Sequence, residues 1–276
     1  MSDTITVRRL ATHEDLTAAA DLDVLRTMGL SPQHAQGAWA TSDAAAVAFF
    51  FPAEGQDDEG WVVVMRGPVR RVAGEDSVGE EGPGEASVHL AEAVRAELGG
   101  QMDGLTVPRS AALVPALTRW KMQRGDEWDL MVCDTPPPPQ PGESLVRSDL
   151  GAAEIQAFLD RVNPHHSVRA DDPTAESWVG VRDELGEHGD EGALLAVGAL
   201  TRRRTGVGYL ASIATDPAVR GTGHGSAVTA NLTRQVFDAG ETHCTLAHYH
   251  PNDSARRIYL RTGYRTLAQN YSGNFA

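Results

Sequence analysis

The residues whose types and spacing bear most directly on chemistry are Arg220-Gly221-Thr222-Gly223-His224-Gly225-Ser226. Glycines directly ahead of an amphipathic run through Val228, Leu232 and Val236 let successive backbone N–H groups converge on an anion. The dipole of the helix that follows adds partial positive charge, Arg220 supplies formal charge, and Ser226 can donate a hydroxyl. Such a cradle suits a pyrophosphate; the plain alternative is a flexible strand-to-helix turn. Further on, Asn252 can cap a helix that carries Ala255, Ile258 and Tyr259 and stops at Gly263. Taken alone, that segment reads better as capping and core packing than as a binding element.

These residues must be held by the elements around them. Asp149 can cap a helix running to about Val162, with Ile155, Phe158, Leu159 and Val162 on one face. Ala193–Leu200 and Val207–Thr215 read as strands joined by the basic turn TRRRTG, an antiparallel hairpin. The glycine loop and its helix follow and end at Gly240; Thr242–His248 is a strand, the Asn252-capped helix comes next, and Tyr264–Gln269 is a final strand. In the other half, Trp61-Val62-Val63-Val64-Met65 and Ala44–Phe51 read as buried strands. Ala86–Leu98 has helical spacing, and Pro108–Gln123 can open a helix with proline in its first turn. No internal repeat is visible, and nothing in this half combines a nucleophile, a base and an anion cradle.

Two common phosphate-binding classes fail on the glycine loop. A P-loop needs GxxxxGK[ST], and the chain's single lysine is Lys121. A dinucleotide fingerprint opens an early βαβ unit, whereas this loop lies near the C-terminus with no second nucleotide-binding half after it. A third class fits. Arg220-Gly221-Thr222-Gly223-His224-Gly225 matches R/Q-x-x-G-x-G/A, and in this it resembles the acetyl-CoA pyrophosphate loop of the GNAT superfamily of N-acetyltransferases. Ile213 to Arg220 looks like that family's strand-and-proline approach, and Asn252 to Tyr264 resembles its N-x-x-A-x-x-x-Y-x-x-x-G-[FY] segment. The resemblance covers about residues 193–270.

The resemblance implies an α/β (α+β) fold: a mixed, largely antiparallel sheet flanked by helices, with acetyl-CoA as cosubstrate. It implies that Val207–Thr215 and Thr242–His248 splay, that Ile213, Ala214 and Thr215 meet the pantetheine arm, and that Arg220, Gly221, Thr222, Gly223, His224, Gly225 and Ser226 hold the diphosphate, with Asn252 also near the cofactor. The Ile213 N–H would polarise the thioester carbonyl. A primary amine would attack the thioester directly in a ternary complex, and Tyr259 would protonate the departing thiolate. Where many family members carry a glutamate as base, four residues before Ile213, this chain has Tyr209, and no carboxylate occurs between Gly192 and Thr215. The base is therefore Tyr209 through water, another residue brought in by folding, or none if the amine arrives neutral. This departure keeps a non-catalytic acyl-CoA sensor or regulatory protein as the alternative function.

Composition bounds the rest. The 276 residues carry 38 acids against 24 bases, a net charge of −14 that repels phosphate backbones and argues against nucleic-acid partners. Most of the excess lies in residues 1–140, where it could attract a cationic amine or simply be a solvated surface. No apolar run has membrane-helix length and MSDTITVRRL lacks a signal-peptide core, so the expectation is a cytoplasmic protein with no membrane partner. Cys133 and Cys244 sit in separate halves, and His243, Cys244, His248 and His250 offer no metal-ligand spacing. PPPPQP places a linker at 136–142 between a smaller N-terminal α/β domain at 1–135 and the GNAT-like domain at 143–276. GEDSVGEEGPGE at 74–85 reads as a mobile loop. The sequence assigns the first half no chemistry; if it shares the fold it is a degenerate copy that shapes the acceptor site or an oligomer interface such as a homodimer, and the acceptor is a small-molecule amine or a peptide amine.

Overall fold

The computed structural model describes residues 6–11, 15, 35–43, 45–51, 60–66, 84–183, 192–203 and 205–276. It forms two compact units, residues 1–129 with 268–276, and residues 130–267. The Pro-rich segment at 136–142 falls within the second unit, and the last residues of the chain belong to the first.

In the first unit, β1 (Val7–Arg9), β2 (Gly37–Thr41), β3 (Ala46–Phe51) and β4 (Trp61–Arg66) form an antiparallel meander. Helix α1 (Gly84–Leu98) follows, then β5 (Gly104–Pro108) parallel to β4, then α2 (Leu113–Trp120) and the start of β6 (Met122–Cys133). Residues 270–274 of β11 (Arg265–Phe275) pair antiparallel with β5. Alternation along the strands sorts the core into two faces. Trp39, Ala48, Phe50, Val62, Val64 and Leu105 pack with Leu90, Ala91 and Val94 of α1, while Ala38, Val47, Phe49, Val63 and Met65 form a second cluster.

The second unit repeats the order. Helix α3 (Ala152–Val162) precedes the antiparallel strands β7 (Ala175–Arg182), β8 (Leu194–Arg202) and β9 (Gly208–Thr215). Helix α4 (His224–Asp238) then leads to β10 (Cys244–Tyr249), parallel to β9, and to α5 (Asp253–Arg261). Ile155, Phe158 and Leu159 of α3 pack with Leu194, Val197 and Ala214, and Val228, Leu232 and Val236 of α4 pack with Ala196, Leu200, Leu210 and Leu246. The mixed, largely antiparallel architecture with flanking helices is thus present in both units.

Several expectations are corrected. Pro108 ends strand β5, and the helix after it starts only at Leu113, because Asn270 of β11 pairs at Pro108 and Arg109 donates its N–H to Gln269 O at 2.9 Å. Gly84 and Glu85, read as loop, open α1; the rest of that acidic segment and Ala44 lie outside the described residues. Asp149 does not cap α3: Gly151 stands at the cap with extended backbone and no side-chain hydrogen bond. The final strand runs on to Phe275, and β1, β2, β5, β6 and β7 carry no counterpart in the sequence reading.

Candidate functional site

All candidate residues lie in the second unit. The parallel pairing of β9 with β10 holds for Gly208, Tyr209 and Leu210 opposite Cys244, Thr245 and Leu246. Beyond it, β9 continues to Thr215 and β10 to Tyr249 with no further paired positions between them. The strands therefore part, and the β10-facing edge of Ala211–Thr215 becomes main chain for a ligand to meet. On its other side β9 remains paired with β8 through Ala211, Ala214 and Thr215. Ile213 and Thr215 are half-buried on this segment, and Ala214 is buried against α3.

The turn after Thr215 is built by local bonds. Asp216 donates its N–H to Leu195 O at 2.8 Å, its carboxylate accepts the Ala218 N–H at 2.9 Å, and Arg161 reaches it at 2.6 Å. The Arg161 hydrogen bond, with the Ala218 N–H second, holds Asp216 below the usual carboxylate range. Pro217–Val219 make one 3-10 turn, and Thr222 donates its hydroxyl to Val219 O at 2.7 Å. Gly221 and Gly223 have φ of +87° and +99°, which a side chain would oppose. At Gly225 the requirement is space: a Cβ there would sit 2.9 Å from Thr215 Oγ1 and 3.1 Å from Ile258 Cδ1. That contact brings the end of β9, the head of α4 and helix α5 together.

Gly223 heads α4 with no side-chain cap, and the first intrahelical bond runs from Ala227 N–H to Gly223 O at 3.0 Å. The N–H groups of His224, Gly225 and Ser226 belong to the first turn and have no intrahelical acceptor, which leaves a concentrated donor set at the positive end of a 15-residue helix. Arg220 lies beside it with Nε donating to Thr215 O at 3.4 Å. The turn thus offers amides, dipole and one guanidinium to an anion. The buried hydroxyls of Thr229 and Thr233 carry the order inward, donating to Gly225 O and Thr229 O at 2.7 Å each. Thr233 also meets the Tyr264 hydroxyl at 2.7 Å, and Tyr264 donates to Cys244 Sγ at 3.2 Å.

Tyr259, on α5, is 6% exposed, its ring 5.8 Å from the His248 ring and 6.1 Å from that of Tyr264. Burial pushes its phenol well above the ordinary range, and the Tyr209 phenol adds to the shift. Tyr259 is therefore a neutral O–H at physiological pH, and the burial that keeps it neutral also makes it a weaker acid than an exposed phenol. The structure brings Tyr209 of β9 and Tyr259 of α5 into one electrostatic neighbourhood. Tyr209 accepts a bond from Thr201 Oγ1 at its carbonyl (3.1 Å), and the Arg203 guanidinium lies 3.6 Å from its ring centroid. The Asn252 side chain is committed to capping: its oxygen accepts the Ala255 N–H at 3.1 Å. His248 Nδ1 sits 2.8 Å from Tyr249 O, so that nitrogen carries the ring proton in the neutral form.

One residue beside the candidate site escaped the sequence reading. Ser212 has φ +50° and sits in a β-bulge, where Ala211 and Ala214 of β9 oppose Ala199 and Val197 of β8. No sequence signal marks it, since serine is an ordinary strand residue and a positive φ is written only in glycines.

Residues 188–272 match the family model described as FR47-like protein, a GNAT-related family. Among solved structures, the chain is similar to a GCN5-related N-acetyltransferase from Sphaerobacter thermophilus, at 14% identity with a TM-score of 0.55 and coverage of 99% of this chain and 96% of that one. It is also similar to a GCN5-related N-acetyltransferase from Kribbella flavida, at 19% identity with a TM-score of 0.50 and coverage of 84% and 86%. A Drosophila protein matches at 12% identity with a TM-score of 0.50 over 99% of both chains. No significant match is found among curated proteins. At these identities the likeness carries the fold: both units are spanned by GNAT-type architecture.

Proposed function

We propose that this GNAT-type fold serves acyl transfer, and that the second unit moves an acetyl group from acetyl-CoA to a primary amine. The observation that carries the reading is the parting of β9 from β10 beyond Leu210 and Leu246, with a glycine turn and an uncapped helix head at the end of the same strand. The diphosphate lies against the amides of Gly223, His224, Gly225 and Ser226 with Arg220 beside it, and the pantetheine runs along Ile213–Thr215.

In this mechanism the Ile213 N–H stabilises the charge that grows on the carbonyl oxygen as the amine nitrogen attacks the thioester carbon. Collapse breaks the C–S bond, and Tyr259, held in its neutral form by burial, protonates the sulfur. The proton lost by nitrogen leaves through water at Tyr209, or is lost in solution before the amine binds. Nucleophilic side chains are not needed for direct attack, so the high, buried thiol of Cys244 takes no part. The acceptor class is a small-molecule amine or a peptide amine.

The test is thiol release from acetyl-CoA over a panel of small amines and peptide N-termini, paired with calorimetry of acetyl-CoA alone. The proposal expects amine-dependent thiol release. Binding without release would make the protein an acyl-CoA binder, and the absence of both would refute the reading.

A further inference from the structure

Ser212 occupies an unusual place in β9. It is 7% exposed, its backbone is left-handed at φ +50°, and nothing in strand pairing asks for a serine there. A glycine would adopt that backbone with less strain. Its hydroxyl makes two bonds to one distant residue: it accepts the Val168 N–H at 2.9 Å and donates to Val168 O at 2.9 Å. Val168 lies in the segment after α3, which is fixed to that helix as well. Ala170 N–H reaches Gln156 Oε1 at 3.1 Å, Gln156 Nε2 meets His166 Nε2 at 3.1 Å, and His166 Nδ1 meets Asn163 O at 3.0 Å. The ring nitrogens of His166 are thus engaged one by α3 and one by the start of the segment.

The bulge explains why this attachment matters. Two residues of β9, Ser212 and Ile213, stand opposite Gly198 alone, and a Cβ on Gly198 would come within 3.2 Å of Ile213 Cγ1. The bulge therefore sets the orientation of the 212–213 peptide, the one that carries the Ile213 N–H, just beyond the point where β9 and β10 separate. A segment clamped to Ser212 is clamped to that peptide.

We propose that Ser212 is a positioning residue that couples the 163–170 segment to the Ile213 amide, so that the segment bordering the parted strands responds when acyl-CoA fills them. The coupling rests on the acyl-transfer reading. Hydrogen exchange read by mass spectrometry, with and without saturating acetyl-CoA, tests it without needing the acceptor. In the wild type, acetyl-CoA slows exchange at least threefold in peptides covering both 210–216 and 163–170. Ser212→Gly keeps the left-handed backbone and loses the hydroxyl; it binds acetyl-CoA within threefold of wild type and protects 210–216, while 163–170 no longer responds. Ser212→Ala likewise loses the response of 163–170.

Protection still reaching 163–170 in Ser212→Gly, or protection confined to 210–216 in the wild type, would overturn the coupling alone. A loss of affinity beyond tenfold in Ser212→Gly would make Ser212 a ligand contact and also overturn it. Failure of wild-type protein to bind acetyl-CoA would defeat the acyl-transfer reading itself, and the coupling with it.

Discussion

Each unit contains a parallel strand pair that is paired at three positions and then runs on unpaired, β4 with β5 in the first and β9 with β10 in the second. What fills the parted end differs. In the first unit the overhanging residues Val64, Met65 and Val107 are buried in apolar clusters, and the large aromatic of the following helix, Trp120, gives its indole N–H to Glu92 at 3.3 Å. In the second unit the overhang carries half-buried Ile213 and Thr215 and exposed Tyr249, and the following helix, α5, supplies Tyr259 with a phenol held neutral. The helix heads differ too: α1 opens on Gly84 and Glu85, whose carboxylate opposes an anion, whereas α4 opens after two left-handed glycines with Arg220 nearby. The same strand geometry is a core in one unit and a candidate site in the other, so the residues and not the fold decide which can do chemistry.

That contrast can be broken or sharpened by substitution. Tyr259→Phe should lower kcat by roughly 1,000-fold while leaving acetyl-CoA affinity unchanged, since it removes a proton donor and little else; steady-state thiol release alongside calorimetry would check this, and an unaffected kcat would return Tyr259 to the core. Leu105→Ala, in the filled counterpart, should cost about 3 kcal/mol of stability in urea unfolding with no change in acetyl-CoA affinity. Gly223→Glu should weaken acetyl-CoA binding by roughly 100-fold, about 2.7 kcal/mol, because it sets a carboxylate and a disfavoured φ at the helix head. An affinity within twofold of wild type would remove the turn from the site.

Alkaline unfolding separates the units by their buried acids. In the second, burial raises Cys244 to about 12 and pushes Tyr259 and Tyr264 higher than ordinary phenols; in the first, among described groups, Tyr271 moves the same way. A group whose folded pKa is raised keeps a proton that the unfolded chain gives up. Its contribution is intact below its ordinary value, 9.0 for the thiol and 10.0 for the phenols, and is lost as pH rises beyond it. Urea unfolding from pH 8 to 11 should show stability falling by about 1.4 kcal/mol per pH unit for each such group, steepest for probes in the second unit.

The smallest effect concerns Glu143, which Arg234 grips through two bonds of 2.7 and 3.2 Å and holds below the usual carboxylate range. Glu143→Gln should cost about 0.5–1 kcal/mol at neutral pH. Because the folded pKa is depressed, that difference should be present above the ordinary glutamate value of 4.5 and vanish as pH falls below it, which paired melts at pH 7 and pH 3 would show.

The sequence made parts of this molecule legible and hid others for physical reasons. Glycines with positive φ announce themselves, so the head of α4, the stop at Gly240 and the end of α5 at Gly263 were readable, as was the Asn252 cap. Caps and first-turn prolines have rivals: Asp149 and Pro108 each had the right residue type, yet a glycine and a strand pairing took their places. The repeat of meander, helix, parallel strand and helix was invisible because each copy is held by apolar packing that many residues satisfy, while the loop that would mark it occurs once. Ser212 was hidden for the converse reason: its role depends on a backbone angle that serine does not advertise.

The most direct test of the account is a crystal structure of the protein with coenzyme A. The account predicts the diphosphate within hydrogen-bond distance of the amides at Gly223–Ser226, with the thiol arm between β9 and β10 and pointing toward Tyr259. A diphosphate bound at the head of α1, or anywhere else, would contradict it.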